Sequence, residues 1–475
     1  MVMSDPMSGL VRDPAALALT THDILVIGGG IYGVAVAYDA ALRGARTALV
    51  EAGDFGGEAS WSSLRTIHGG IRHLQSLDLG NFRESVRERR AFLRIAPGIV
   101  RPLPFVVPIF GAREGMKLAA GITLGNLLSP DRSLGLPAES AIPEGRRLGA
   151  EEVRRRFPEL PRPPRGGIEW TDAQVTHPER LLMALLKRAS CEGAQIANHL
   201  EVKEVLRSGT AIAGVRALDR ESSADLEIRA RVVVNAAGPR GAEILGMGSG
   251  QGVGYVRGVN LVLKRPLVHG AALGLRSKGR YLFLVPSQDR ALLGTAYGPR
   301  GRDPRGLALE FLHEAQEVFG LGISAEDVEF VHSGLVPGTA AGLDSATRIG
   351  VEEGLLSVVG GKFTSARAAA ESVVDRAFGL LGRAAPPCRT AEEPLRDAVP
   401  LEGSLAEQVR RAVREEMALH LTDALLRRVD SLRKASPAQA REAQDVLSRE
   451  LHLSEERAAE EHAAWLQAYT TLGLQ

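Results

Sequence analysis

Three glycines between two short apolar runs constrain this chain more than any other feature. In "DILVIGGGIYGVAVAYDAALRGARTALVEAGDFGG", Ile24 to Ile27 read as a buried strand running into Gly28, and Gly28, Gly30 and Gly33 fill the three positions of G-x-G-x-x-G. The pattern then turns helical, with Val34, Ala37, Tyr38 and Ala41 on one face, before Thr47 to Val50 read as a second strand ending at Glu51. The glycines serve a tight turn, close approach of backbone to pyrophosphate, and close packing of helix on strand, at a helix N-terminus that favours negative charge. Glu51 stands about 20 residues past the turn, where a carboxylate grips ribose hydroxyls. The segment therefore predicts a dinucleotide site. It leaves NAD and FAD both open, because each lays a pyrophosphate on the same turn.

Three later stretches favour FAD. After Glu51 the chain does not run into another βα unit but turns polar and irregular in "EASWSSLRTIHGGIRHL", where Ser60, Ser62 and Ser63 precede Gly69 and Gly70. "RVVVNAAGP", Arg231 to Pro239, is a buried strand ending in small residues, suited to lie beside the fingerprint strand. "GLLSVVGGKFTSARAAAESVVDRAF" sets a buried strand, two glycines, Lys362 and an amphipathic helix in series, which makes a second helix N-terminus able to face an anion.

These motifs, with "FLVPSQDRALLGTAYG" and "SATRIG", occur in an order that resembles the FAD-dependent, respiratory-type glycerol-3-phosphate dehydrogenases, within the D-amino-acid-oxidase-like flavoprotein superfamily. The resemblance runs from about Asp23 to the C-terminal helices. It implies a mixed α/β fold: a Rossmann-like FAD-binding lobe built from discontinuous segments, an antiparallel-sheet substrate lobe and a helical C-terminal lobe. It places FAD contacts on Gly28, Gly30, Gly33, Glu51, Ser60, Ser63, Arg65 and His68, on main chain around Val202, on Gly238, and on Gly360, Gly361, Lys362 and Thr364. It also puts substrate contacts on Arg72 and Arg348, and His68 near the flavin ring.

Oxidising a secondary alcohol on flavin needs a hydride acceptor, a group to take the hydroxyl proton, and positive potential near the pyrimidine edge of the ring. Lys362 and the helix N-terminus after Gly361 suit the last task. The planar fork of Arg72 suits an oxyanion. Arg280 reads as a solvated strand end.

Three positions depart from the family pattern. The arginine of S-G-V-R-P-L is Val336 in "SGLVPG", so a phosphate clamp loses one jaw. The histidine expected after a K-G-S segment is Asn260 in "RGVNLVL", which hydrogen-bonds but accepts no proton at neutral pH. The tyrosine after the first substrate arginine is His73, which offers acid-base chemistry instead. Glycerol 3-phosphate, another small anionic hydroxy compound, oxidation of an amine or amino acid, and flavin binding without catalysis are the readings these departures leave.

The balance of 58 basic against 57 acidic residues, net charge +1, gives no global field for nucleic acid. Two distant cysteines support neither a disulfide framework nor a Cys-rich metal site, and the 11 histidines show no metal-ligand spacing, so no metal is expected. A cytoplasmic setting fits, with peripheral contact at the inner face of a membrane, a quinone as electron acceptor and a homodimer as further expectations from the resemblance. Residues 1–20 read as a frayed leader. The FAD lobe is expected over 21–100, 175–250 and 340–385, and the substrate lobe over 101–174 and 251–339. The Pro/Gly/Arg-rich stretch from Leu136 to Gly167 reads as a connection between lobes, broken by a short helix at Ala150 to Arg156. Past Pro400, residues 396–475 read as a helical domain: Leu405, Val409, Val413, Met417 and Leu421 recur every fourth residue, Ser436-Pro437 reads as N-cap and N1, and Ser454 opens a last helix. Its arginines, Arg410, Arg411, Arg414, Arg427 and Arg428, read as a solvated surface, with attraction to anionic lipid as the other reading.

Overall fold

The computed structural model describes residues 9–241, 253–339, 342–352, 355–430 and 432–474. The chain divides into two units, the first made of 1–61, 178–256 and 335–469, the second of 62–177, 257–334 and 470–475.

The first unit is built on a sheet whose strands follow the order Arg348–Glu352, Leu355–Val359, Asp225–Asn235, Thr21–Ile27, Thr47–Val50 and Gln195–Ala197. The last five run parallel. Their residues are apolar on both faces, Ile24, Leu25, Val26, Leu49, Val233 and Val234 among them, as a parallel sheet covered on both sides demands. The fingerprint helix Ile31–Leu42 is buried along its whole length, and an antiparallel hairpin, Leu200–Ser208 with Ala211–Asp219, adds to Asp225–Asn235. "RVVVNAAGP" thus returns beside the fingerprint strand in register Ile27 to Asn235, as its sequence predicts.

The second unit carries a sheet in the order Val328–Thr339, Tyr255–Leu263, Arg290–Pro299, Arg280–Ser287, Ala272–Ser277, Val100–Ile109, Gly166–Val175 and Thr66–Ile67. Helix Pro304–Phe319 lays Leu307, Phe311, Ala315 and Phe319 into an apolar cluster with Leu261, Leu282, Leu284 and Leu293.

Several boundaries move. The second unit begins at Ser62, because Thr66–Ile67 pairs with Gly166–Val175 and the helix Leu79–Ile95 sends Arg89 to Asp172 on the same strand. The Leu136 to Gly167 stretch lies wholly inside the second unit, where Arg146–Leu148 adds to Gly166–Val175, and the short helix spans Ala150–Arg156 as expected. The C-terminal helices Leu405–Glu416, Leu421–Arg427, Pro437–Leu451 and Glu455–Leu472 fall with the first unit up to Tyr469. Ser404 and Ser436 close capping boxes there, and Met417 ends the first of these helices at φ +54°. Within the expected leader, Asp13 caps helix Pro14–Leu19, Leu17 is buried, and Arg12 pairs with Asp219. Residues 1–8 lie outside the described residues. No described helix is long and apolar enough to cross a membrane.

Candidate active site

In the first unit the glycines form a cradle that side chains would fill. Gly28 holds φ at +108°, and a Cβ there would stand 2.6 Å from the Ala236 carbonyl oxygen; at Gly33 it would stand 1.9 Å from that of Gly28. The helix starts at Ile31 behind Gly30, which has no side chain to cap it, and Ser60 Oγ accepts from the Ile31 N–H at 3.0 Å. Close backbone and a helix N-terminus together suit a pyrophosphate. Glu51 accepts from the N–H groups of Gly29 at 2.6 Å and Gly53 at 2.8 Å. Burial pushes its pKa above the usual carboxylate range, against the pull of those two N–H groups.

The hairpin carrying Val202 begins at this corner, since the Leu200 N–H donates to the Glu51 carbonyl at 2.8 Å. Gly238, at φ +55°, accepts from the Tyr255 hydroxyl at 3.0 Å. The loop Gly360 to Thr364 also reaches the fingerprint. Tyr32, on the first turn of the fingerprint helix, donates to the Lys362 carbonyl at 3.0 Å and meets Ser365 Oγ at 2.9 Å. A Cβ on Gly360 would stand 2.0 Å from the Tyr32 hydroxyl, and Thr364 is buried. Sequence reading missed Tyr32, which sits at a variable position of the glycine motif. Arg348 is exposed and pairs with Asp344 at 2.7 Å.

The second unit gathers the other candidates. The turn Ile71–Ser76 carries Arg72, exposed, and His73, whose Nδ1 stands 3.7 Å from Asp78. His68 precedes it with Nδ1 3.3 Å from Asp172, whose other oxygen accepts from the Gly69 N–H at 2.7 Å and faces Arg89 at 3.1 Å. Asp172 is buried, and burial would raise its pKa; His68, Arg89 and the Gly69 N–H overcome that and hold it below the usual range. Nothing in "EWTDAQV" sets this aspartate apart. Tyr297 is pushed up by burial, an effect that its bond to Thr295 and the charge of Arg72 partly offset.

Three expected roles change. Arg65, expected on the cofactor, is fully buried in the second unit and donates to the Thr176 carbonyl; Ser63 Oγ accepts from its N–H at 3.2 Å. Its guanidinium braces a turn that φ +58° at Arg65 itself creates. Asn260, expected on a substrate hydroxyl, donates to the Ser62 carbonyl at 2.8 Å and accepts from Thr295 Oγ1 at 2.7 Å. That amide ties the segment at Ser62 to the sheet. Arg280, read as solvated, makes a two-pronged bond to Glu314, 2.9 Å on each arm.

Where the C-terminal helices meet the hairpin Leu200–Ser208 with Ala211–Asp219, the first unit holds a cluster that sequence spacing hides. His199, Glu221 and His420 bring potential ligand atoms within 4.8 Å of one another. Each imidazole already faces carboxylates: His199 Nε2 lies 3.0 Å from Asp423, and His420 lies 2.9 Å from Glu461 and 3.0 Å from Glu221. Burial opposes charge on His420, but the two glutamates prevail and raise its pKa to about 10. The protonated ring supplies the positive charge these carboxylates call for. Arg428 and Arg427 reach buried Asp54 at 2.7 and 2.6 Å, and Arg410 and Arg414 pair with Glu450, so these arginines are held in ion pairs.

A family model described as FAD dependent oxidoreductase matches residues 23–376. A glycerol-3-phosphate dehydrogenase of Synechocystis sp. is 31% identical over 79% of this chain and 73% of its own length. One of Mycobacterium leprae is 32% identical over 77% of this chain, which spans only 64% of that relative. The solved glycerol-3-phosphate dehydrogenase of Bacillus halodurans complexed with FAD has a TM-score of 0.75 at 21% identity, covering 97% of both chains.

Proposed function

This chain belongs to the FAD dependent oxidoreductase family, and on that premise we propose that it oxidises the secondary hydroxyl of glycerol 3-phosphate. The observation that carries the cofactor part is the glycine cradle at the N-terminus of the fingerprint helix, with Glu51 at its corner. FAD, when bound, supplies a two-electron acceptor for the hydride leaving the carbinol carbon. Gly28, Gly30 and Gly33 would take its pyrophosphate, Glu51 a ribose, and main chain near Val202 the adenine. Lys362 and the N-terminus of helix Ala366–Leu380 would lend positive potential.

The substrate part rests on relatives named for glycerol 3-phosphate and on side chains of the second unit. Arg72 holds the phosphate through its planar fork. His68 takes the hydroxyl proton on Nε2, since Asp172 engages Nδ1. Asn260 takes no proton and instead fixes the backbone at Ser62.

Anaerobic titration of the yellow holoprotein with glycerol 3-phosphate tests the reading. Loss of the oxidised flavin band at millimolar substrate or below is expected. Persistence of the band, in protein that dithionite still reduces, would reject this substrate. Bleaching by small amines or amino acids instead, with peroxide formed in air, would assign the chain to the oxidases.

A further inference from the structure

The buried carboxylate of Asp172 has more partners than packing requires. It stands on strand Gly166–Val175 with its side chain 3% exposed. One oxygen accepts from the Gly69 N–H at 2.7 Å and from Arg89 Nη1 at 3.1 Å; the other accepts from Trp170 Nε1 at 3.3 Å and faces His68 Nδ1 at 3.3 Å. A single carboxylate thus grips both the imidazole of His68 and the backbone next to it. Gly69 permits this: a Cβ there would stand 2.1 Å from Arg89 Nη1 and 2.9 Å from Asp172. His68 itself is half exposed, so one edge of its ring is anchored in the interior while the side chain reaches solvent.

An ionised carboxylate only accepts hydrogen bonds, so the His68 tautomer it favours carries its proton on Nδ1 and its lone pair on Nε2. The same negative charge stabilises the imidazolium formed when Nε2 takes a proton. Arg89 acts in the opposite sense, neutralising part of that charge.

We propose that Asp172 is the positioning residue for His68, fixing its ring and tautomer so that Nε2 receives the proton of the substrate hydroxyl. In that step the O–H bond breaks toward Nε2, the C–H pair leaves as hydride to FAD, and the carbinol becomes a carbonyl. The proposal rests on the reading above that His68 is the proton acceptor, and the experiment separates the two.

The rate of flavin reduction by glycerol 3-phosphate is followed in stopped flow across pH for the holoprotein and three full-length variants. In Asp172→Asn the amide donates to Nδ1 and reverses the tautomer. The limiting rate should fall on the order of 100-fold or more, the size of a general-base contribution. The substrate concentration for half-maximal rate should stay within about threefold, since Asp172 touches no substrate. The acid limb of the profile should move to lower pH, because the negative charge beside the proton acceptor is gone. Arg89→Gln keeps the carboxylate and removes the competing cation, so its acid limb should move up; this variant serves alone if Asp172→Asn does not fold. His68→Gln should abolish the limb. If His68→Gln keeps both rate and limb, the proton-acceptor reading fails, and this proposal with it. If His68→Gln loses them while the Asp172 and Arg89 variants leave the limb in place, Asp172 is a structural group only and the positioning role is overturned.

Discussion

Gly28 sits where only glycine is at ease, at φ +108° with a carbonyl oxygen in the space a Cβ would take. Gly28→Ala should cost about 1 to 3 kcal/mol of local strain, hence about five- to 150-fold in FAD affinity, read as a lower ratio of flavin to protein absorbance after purification. A full complement of flavin in that variant would place the pyrophosphate elsewhere. Arg72 lies near Tyr297, yet is exposed. Arg72→Ala should remove a charge-assisted bond worth about 1.5 to 3 kcal/mol and raise KM for glycerol 3-phosphate roughly ten- to a hundred-fold. Its kcat should change far less. The roles of Asn260 and Arg65 were not legible from residue type, because an amide or guanidinium facing substrate and one bracing a turn are the same letter.

The C-terminal helices show what a run of arginines conceals. Arg427 and Arg428 converge on Asp54, buried just beyond the fingerprint's second strand, and Arg180 meets buried Glu416 at 2.5 Å. Removing one partner of such a buried pair leaves a charge without compensation, at a cost of about 3 to 5 kcal/mol. Asp54→Asn should therefore lower the denaturation midpoint strongly, whereas Arg414→Ala, at an exposed pair with Glu450, should shift it little. The His420 pair adds a pH dependence with a definite sign. Its folded pKa, about 10, lies above the ordinary histidine value of about 6.5. The folded state binds the proton more tightly, so its stabilisation is complete below about pH 6.5 and is lost as pH rises toward 10. His420→Gln should flatten the fall in melting temperature over that window. An unchanged slope would show that His420 is not charged in the folded chain.

At the scale of the molecule, the chain passes five times between two units, so neither unit is a continuous piece. Ending the chain at residue 395 should not release an intact flavoprotein, because it removes the partners of Asp54, Arg180 and Lys187 from the first unit. Soluble, flavin-loaded protein from that truncation would overturn this prediction. What local sequence determined by itself was whatever depends on neighbours in the chain. The glycine turn, the strands at Thr21–Ile27 and Thr47–Val50, the helix Ala150–Arg156 and the cap at Ser436 all rest on backbone sterics, periodicity and hydrogen bonds a few residues apart. Motif order over the chain carried the family and, with it, FAD. Tertiary structure decided the rest: the crossing at Ser62 rather than near 100, the inclusion of the C-terminal helices in the first unit, Tyr32 on the Lys362 loop, and Asp172 beneath His68. These depend on partners roughly a hundred or more residues away: strand on strand at Thr66–Ile67, a phenol on a carbonyl at Tyr32, and a charge beside its counter-ion at Asp172. A carboxylate's solvation and a guanidinium's counter-ion are properties of the folded interior, and no local pattern encodes which distant residue will supply them.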